Sequence, residues 1–234
     1  PVAAQLRATL DQIDVVQPAL FALQVALAAL WQSRGIAPDA VVGHSMGEVA
    51  AAHVAGILSL DDAARIICVR SRLLRTLSGR GAMVVVDLDV ESAQRAIAGF
   101  DDRVSVAVSN SRASTVLSGD PDAIDELMAR LESAGTFCRR VNVDVASHSP
   151  QVDVVLDELV ARLAPIRPRR ATMPMMSTVT GGLVDGGELD AGYWAANLRR
   201  PVRFSDAVEA LVAEGHTRFV ELSPHPLLVG AARE

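Results

Sequence analysis

Apolar positions change their spacing several times along the chain, and each change marks an element. From Pro18 to Trp31 the stretch PALFALQVALAALW is apolar on nearly every side. With Pro18 suited to a first helical position and Gly35 to a stop, it predicts a buried core helix. Residues 39–56, DAVVGHSMGEVAAAHVAG, give a short apolar run ending in glycine, a tight polar turn, and an alanine-rich helix closed by Gly56. That order is strand, turn, helix. Ser59 with Asp62 three residues on predicts a capped helix over 60–78. Its stripe is Ala63, Ile66, Ile67, Leu73, Leu74 and Leu77, and the residue completing it at helical spacing is Arg70. Arg65, Arg72 and Arg75 fall on the opposite, solvated side.

Between Ala82 and Val143 the pattern becomes strand, helix, strand, strand, helix, strand, with Asp120 as a helix cap and Gly135 as a stop. This is the ferredoxin-like order. The chain then returns through Ser149 and Pro150 into a helix striped by Val152, Val155, Leu156, Leu159 and Leu163, so that His148 follows a strand end and precedes a helix. The remainder reads as strand, glycine-rich turn, two helices, then strand and loop at FVELSPHPLL. The expected fold is α/β: a large subdomain of residues 1–81 and 144–234, with a parallel sheet, and an inserted small subdomain of residues 82–143.

Half of the 234 residues are hydrophobic, enough for a sizeable core without disulfide staples. A net charge of -6, with basic residues in no run longer than two, argues against nucleic acid as a partner. Cys68 and Cys138 lie in apolar stretches without C-x-x-C spacing, which predicts buried packing and fits a reducing, cytoplasmic setting. The first 17 residues carry charges and no unbroken apolar core, so no signal peptide is read there. The apolar stretch ending at Trp31 is too short to span a bilayer, and no membrane association is expected. Aromatics are only 3% of the chain, too few for a stacking platform.

Chemistry concentrates at G-H-S-M-G, residues 43–47. Between a strand and a helix, a Gly-x-Ser-x-Gly match presents its serine on a nucleophile elbow; in a chain with 16 glycines it can also arise by chance. A serine hydroxyl needs a base to take its proton and N–H donors for the charge that develops on the attacked carbonyl oxygen. Met46 N–H, at the helix start, supplies one donor, and Gly43 and Gly47 are expected to let strand and helix approach. Of the five histidines, His148 has the most informative address, since the positive end of the following helix disfavours imidazolium. His44 adjoins the serine, His53 lies on the elbow helix, and His216 and His225 have no such setting. An inward Arg70 requires an anion, either an internal carboxylate or the carboxylate of a substrate.

Five motifs in order, GHSMGE, VRSRLL, NSRASTVLSG, VASHSPQVD and ELSPHPLL, resemble acyltransferase domains of type I polyketide synthases, kin of malonyl-CoA:acyl carrier protein transacylases, and in particular those of mycobacterial-type synthases of branched lipids. The resemblance runs over nearly the whole chain. It implies a hydrolase-like large subdomain with the elbow, an acyl ester on Ser45, His148 as general base and acid, and Arg70 binding the free carboxylate of malonyl or methylmalonyl. It further implies His44 beside the nucleophile, Asn110 flanking the site, and the backbone carbonyl of Asn197 orienting His148. No bound cofactor is implied. The partners would be an acyl-CoA, the phosphopantetheine thiol of an acyl carrier protein domain, and a flanking ketosynthase domain.

Selectivity in the family follows the tetrapeptide ending at the histidine, here Val145, Ala146, Ser147 and His148. Ser147 in place of phenylalanine leaves room for an α-methyl branch and favours methylmalonyl, whereas Met46 and Val145 depart from the methylmalonyl pattern. Family domains also open with a strand and a G-Q-G-x-Q loop that supplies a second oxyanion donor. This sequence lacks the loop, so it reads as a fragment of a larger domain, short of a donor worth about 2.7–4 kcal/mol. Two rival readings stand beside the acyltransferase. One is a serine hydrolase such as a thioesterase, which would want a strand-end aspartate between serine and histidine; the other is a noncatalytic docking module for a carrier protein.

Overall fold

The computed structural model describes residues 12–234. The reading of the first residues as free of a signal peptide lies mostly outside them. Helix α1 runs over Ile13–Ser33, 21 residues, so it starts ahead of the expected Pro18, which sits inside the helix. Pro18 is tolerated one turn in, because the residue four before it lies at the fraying N-terminus. By length and composition α1 could cross a membrane, contrary to the shorter span read from sequence. Here it packs on α3 (Leu60–Arg75) and α2 (Gly47–Val54). Among the described residues it is not a buried helix, either: Phe21 and Ala28 are its buried residues, while Leu30 and Trp31 are exposed.

Strand β1 (Val41–Val42) feeds the turn into α2, whose Val49, Ala50, Ala51 and Ala52 are all buried. Helix α3 begins at the expected cap, Ser59 accepting the N–H of Asp62 at 3.0 Å. Its whole inward stripe is buried, Arg70 included.

The small subdomain follows as β2 (Ala82–Val86), α4 (Val90–Ala96), β3 (Val104–Ser111), β4 (Ser114–Gly119), α5 (Pro121–Ser133) and β5 (Cys138–Arg140). Adjacent strands pair antiparallel in the order β5-β2-β4-β3, the ferredoxin-like arrangement. Asp120 caps α5 by accepting the N–H of Ala123. The helices lay Ala93, Ile124 and Leu127 over Val84, Val86 and Leu117. The sheet extends one strand past this segment, since β8 (Val202–Arg203) pairs parallel with β3.

The chain re-enters the large subdomain as α6 (Asp153–Leu163), β6 (Met175–Met176), β7 (Leu183–Val184), α7 (Ala191–Arg199), β8 and α8 (Phe204–Ala213). Among the described residues the parallel sheet reduces to one parallel pair, β1 with β6, flanked by antiparallel β7. Among the described residues the expected strand at FVEL has no pairing partner, and residues 216–222 carry no regular structure. Ile57, Ile66, Ile67, Leu74, Leu159, Leu163, Met175 and Trp194 fill the core, each worth about 1.5–3 kcal/mol of burial. Cys68 and Cys138 are free and only half-buried. The two crossings between subdomains touch: a Cβ on Gly81 would lie 2.0 Å from the Ala146 nitrogen.

Candidate active site

The turn after β1 is tight because Gly43 has no side chain. A Cβ there would meet the Glu48 nitrogen at 2.2 Å and its Cα at 2.3 Å. Gly47 does not share that role as expected: a Cβ on it would find only the Gln24 amide nitrogen, at 3.8 Å. The turn closes through Gly47 N–H to His44 O at 2.9 Å and Glu48 N–H to Ser45 O at 3.1 Å. Ser45 is thereby held at φ 53°, in the left-handed region that non-glycine residues seldom adopt. His148, at φ 61°, is the other left-handed non-glycine residue among those described. Backbone strain is therefore concentrated at the two residues proposed for the chemistry.

Their side chains meet. Ser45 Oγ lies 2.8 Å from His148 Nε2, within reach for proton transfer. His148 Nδ1 lies 2.9 Å from Arg200 O, which fixes the tautomer with Nδ1 protonated and Nε2 free to accept. The orienting carbonyl is thus that of Arg200, not of Asn197 as the resemblance implied. Asn197 sits inside α7 and turns its side chain rather than its carbonyl to the site, while Arg200 at the helix C-cap presents its carbonyl to the imidazole. His148 also does not follow a strand directly, since β5 ends at Arg140 and residues 141–147 form no strand. Its N–H donates to Leu198 O at 3.0 Å, anchoring it to α7. The imidazole pKa falls from 6.5 to about 3, first through burial and then through the charge of Arg70. Both causes keep it neutral.

Arg70 is 3% exposed. One guanidinium nitrogen donates to Ser45 Oγ at 3.2 Å and another to Asn197 Oδ1 at 3.0 Å, and Nε is buried without a partner. No carboxylate among the described residues reaches it within salt-bridge distance. Burial lowers its pKa to about 10 and the nearby Glu48 charge opposes the fall, so the group stays cationic at neutral pH. Asn197 contributes its side chain instead of its backbone: Nδ2 donates to Ser45 O at 3.2 Å and to Glu48 Oε2 at 3.0 Å.

Glu48 was not singled out from sequence. It is fully buried and accepts from Thr178 N–H, Thr178 Oγ1 at 2.8 Å, Tyr193 OH at 2.6 Å and Asn197. Burial raises its pKa, and these bonds pull against the rise. The available signal is an acid one turn after Ser45, directly before the apolar run Val-Ala-Ala-Ala, where a charge requires partners.

The remaining residues divide. His44 Nε2 lies 3.0 Å from Asn110 Oδ1, joining the elbow to β3 of the small subdomain, and its ring meets Phe204 edge-on. Burial lowers the His44 pKa. Met46 N–H, next to the nucleophile, donates to no acceptor among the described residues, as an oxyanion donor must. Val145 and Ser147 are buried in the segment leading to His148. His53 turns instead to Leu58 O.

Comparison with known proteins bears directly on this geometry. The acyl transferase domain family matches residues 2–234. The chain is 51% identical over 232 residues to spectinabilin polyketide synthase system protein NorC of Streptomyces orinoci, covering 99% of this chain and 10% of that protein. It is 50% identical over 220 residues to erythronolide synthase EryA3 of Saccharopolyspora erythraea, covering 94% of this chain and 7% of that one. It therefore spans a tenth or less of these relatives. Among solved structures, the acyltransferase domain from module 8 of the salinomycin polyketide synthase matches with TM-score 0.95 and 50% identity, over 96% of this chain and 53% of that one. The acyltransferase domain of PpsC of Mycobacterium tuberculosis matches with TM-score 0.90 and 43% identity, over 95% and 68%. The chain belongs to the acyl transferase domain family, in the branch carried by type I polyketide synthases.

Proposed function

We propose that this domain takes a carboxylated extender acyl group from its CoA thioester, holds it as an ester on Ser45, and hands it to the phosphopantetheine thiol of an acyl carrier protein. The observation that carries this reading is the single hydroxyl, Ser45 Oγ, held at 2.8 Å from His148 Nε2 and 3.2 Å from a buried arginine. In the first half-reaction Nε2 takes the serine proton as Oγ bonds to the thioester carbon. The C–S bond then breaks and CoA thiolate leaves with that proton. In the second half, His148 takes the proton of the carrier thiol, sulfur attacks the ester, and Ser45 recovers its hydrogen. Met46 N–H faces the oxyanion in both.

A hydrolase reading fits the site less well. His148 Nδ1 rests on a carbonyl rather than a carboxylate, and a charged, buried Arg70 beside the nucleophile has no task in ordinary ester hydrolysis. A docking module would have no need of two residues with strained backbones whose side chains are hydrogen-bonded. Arg70 suits a planar acyl carboxylate, worth about 1.5–3 kcal/mol as charge-assisted bonds. Ser147, small and buried in the segment leading to His148, favours methylmalonyl over malonyl. The test is side-by-side acylation of Ser45 by methylmalonyl-, malonyl- and propionyl-CoA. Both carboxylated donors should outpace propionyl-CoA, with methylmalonyl fastest, and equal rates for propionyl would contradict the role given to Arg70.

A further inference from the structure

The transfer chemistry makes no use of Glu48, yet this carboxylate is fully buried one helical turn from the nucleophile. An arginine and a glutamate enclosed so near each other would ordinarily form a direct ion pair. Here they do not. Asn197 stands between them, its Oδ1 accepting from Arg70 at 3.0 Å and its Nδ2 donating to Glu48 Oε2 at 3.0 Å. The Asn197 amide thus bridges the Arg70 guanidinium and the Glu48 carboxyl, and it has only one orientation that satisfies both ends.

We infer that Glu48, acting through Asn197, is a positioning residue that aims the Arg70 guanidinium at the acyl carboxylate and thereby sets the preference for carboxylated over neutral acyl groups. The inference rests on the proposed role of Arg70. A carboxylate in direct contact with Arg70 would fill the guanidinium edge and repel an incoming acyl carboxylate. With the amide interposed, only one arginine nitrogen is engaged away from the nucleophile. Another reaches Ser45 Oγ, and Nε is left buried without an acceptor. Glu48 in turn is held rigid by Thr178, through its N–H and hydroxyl, and by Tyr193 OH. Substituting Gln for Glu48 keeps the shape but presents an NH2 group to a shell made of donors. Asn197 then loses the acceptor that fixes its amide, and Arg70 loses its aim.

The rival account is that Glu48 only ties α2 to α7, which would weaken transfer of every acyl group alike. The experiment measures kcat and KM for Ser45 acylation by methylmalonyl-CoA and propionyl-CoA, donors that differ only in the carboxylate, in the full-length protein and its Glu48→Gln, Tyr193→Phe and Arg70→Ala variants. Glu48→Gln should lower the methylmalonyl-to-propionyl ratio of kcat/KM roughly tenfold or more, mainly through the KM for methylmalonyl-CoA, with a smaller loss for propionyl-CoA because Arg70 and Asn197 also touch Ser45. Tyr193→Phe should move the ratio the same way by less, and it decides the matter should Glu48→Gln not fold. Equal losses for both donors in these variants, with the ratio collapsing in Arg70→Ala, would overturn the inference and leave the role of Arg70 standing. An unchanged ratio in Arg70→Ala would overturn both.

Discussion

Replacing each glycine of the elbow by alanine separates geometry from motif. At Gly43 the added carbon would lie 2.2 Å from the Glu48 nitrogen, 2.3 Å from its Cα and 2.5 Å from the Gly47 carbonyl carbon. All three are backbone atoms, and real Cβ contacts keep more than about 3 Å, so strand and helix must part by about 1 Å. The neighbours cannot yield cheaply, because Val49, Ala51 and Ala52 behind them are buried. Overpacking of this kind costs about 1–3 kcal/mol or more. The same shift carries Ser45 Oγ away from His148 Nε2, and a displacement of about 1 Å at a reacting atom costs roughly a hundredfold in rate. Gly47→Ala meets nothing closer than 3.8 Å and replaces a helical glycine, so it should be neutral or stabilise by up to about 1 kcal/mol. Urea unfolding gives the stabilities, and the single-turnover rate of Ser45 acylation gives the chemistry. A Gly43→Ala variant with normal rate and stability, or a Gly47→Ala variant equally damaged, would refute the argument.

Two further outcomes follow from the same coordinates. His148 has a folded-state pKa of about 3 against an ordinary 6.5, so below 6.5 the unfolded chain binds the extra proton. Its contribution to stability is therefore full above pH 6.5 and is lost as pH falls toward about 3, at about 1.4 kcal/mol per unit. Unfolding free energies of the protein and its His148→Ala variant should diverge in slope across that window, and parallel slopes would contradict the assignment. Ser147→Phe fills the space given to the methyl branch and should shift acyl choice toward malonyl by about 1–3 kcal/mol, read as the malonyl-to-methylmalonyl ratio of Ser45 acylation; an unchanged ratio would show that residue 147 does not meet the branch.

What could be read from the sequence follows from what is local. The elbow, the capped helix with Arg70 inside its inward stripe, and the strand-helix order of the small subdomain are all written in short-range spacing, and each forms, although α3 ends at Arg75 and not at 78. The failures involve partners distant in sequence. The backbone role expected of Asn197 falls to Arg200, whose carbonyl reaches His148 Nδ1 across 52 residues of sequence. Helix α1 reads as buried from its composition, but burial depends on what packs on it, and among the described residues its main contacts are α2 and α3. Glu48 passed unnoticed because its four donors come from Thr178, Tyr193 and Asn197, more than a hundred residues away. His148 is kept neutral first by burial and then by the charge of Arg70, and neither the enclosure nor that proximity is visible in local spacing.

The most direct test of the central claim is peptide mass spectrometry of the protein after incubation with methylmalonyl-CoA, repeated after adding phosphopantetheinylated carrier protein. A methylmalonyl group should appear on the peptide carrying Ser45, be absent in Ser45→Ala, and move to the carrier thiol in the second step. An unmodified Ser45, or an adduct that water removes while the carrier stays unloaded, would contradict it.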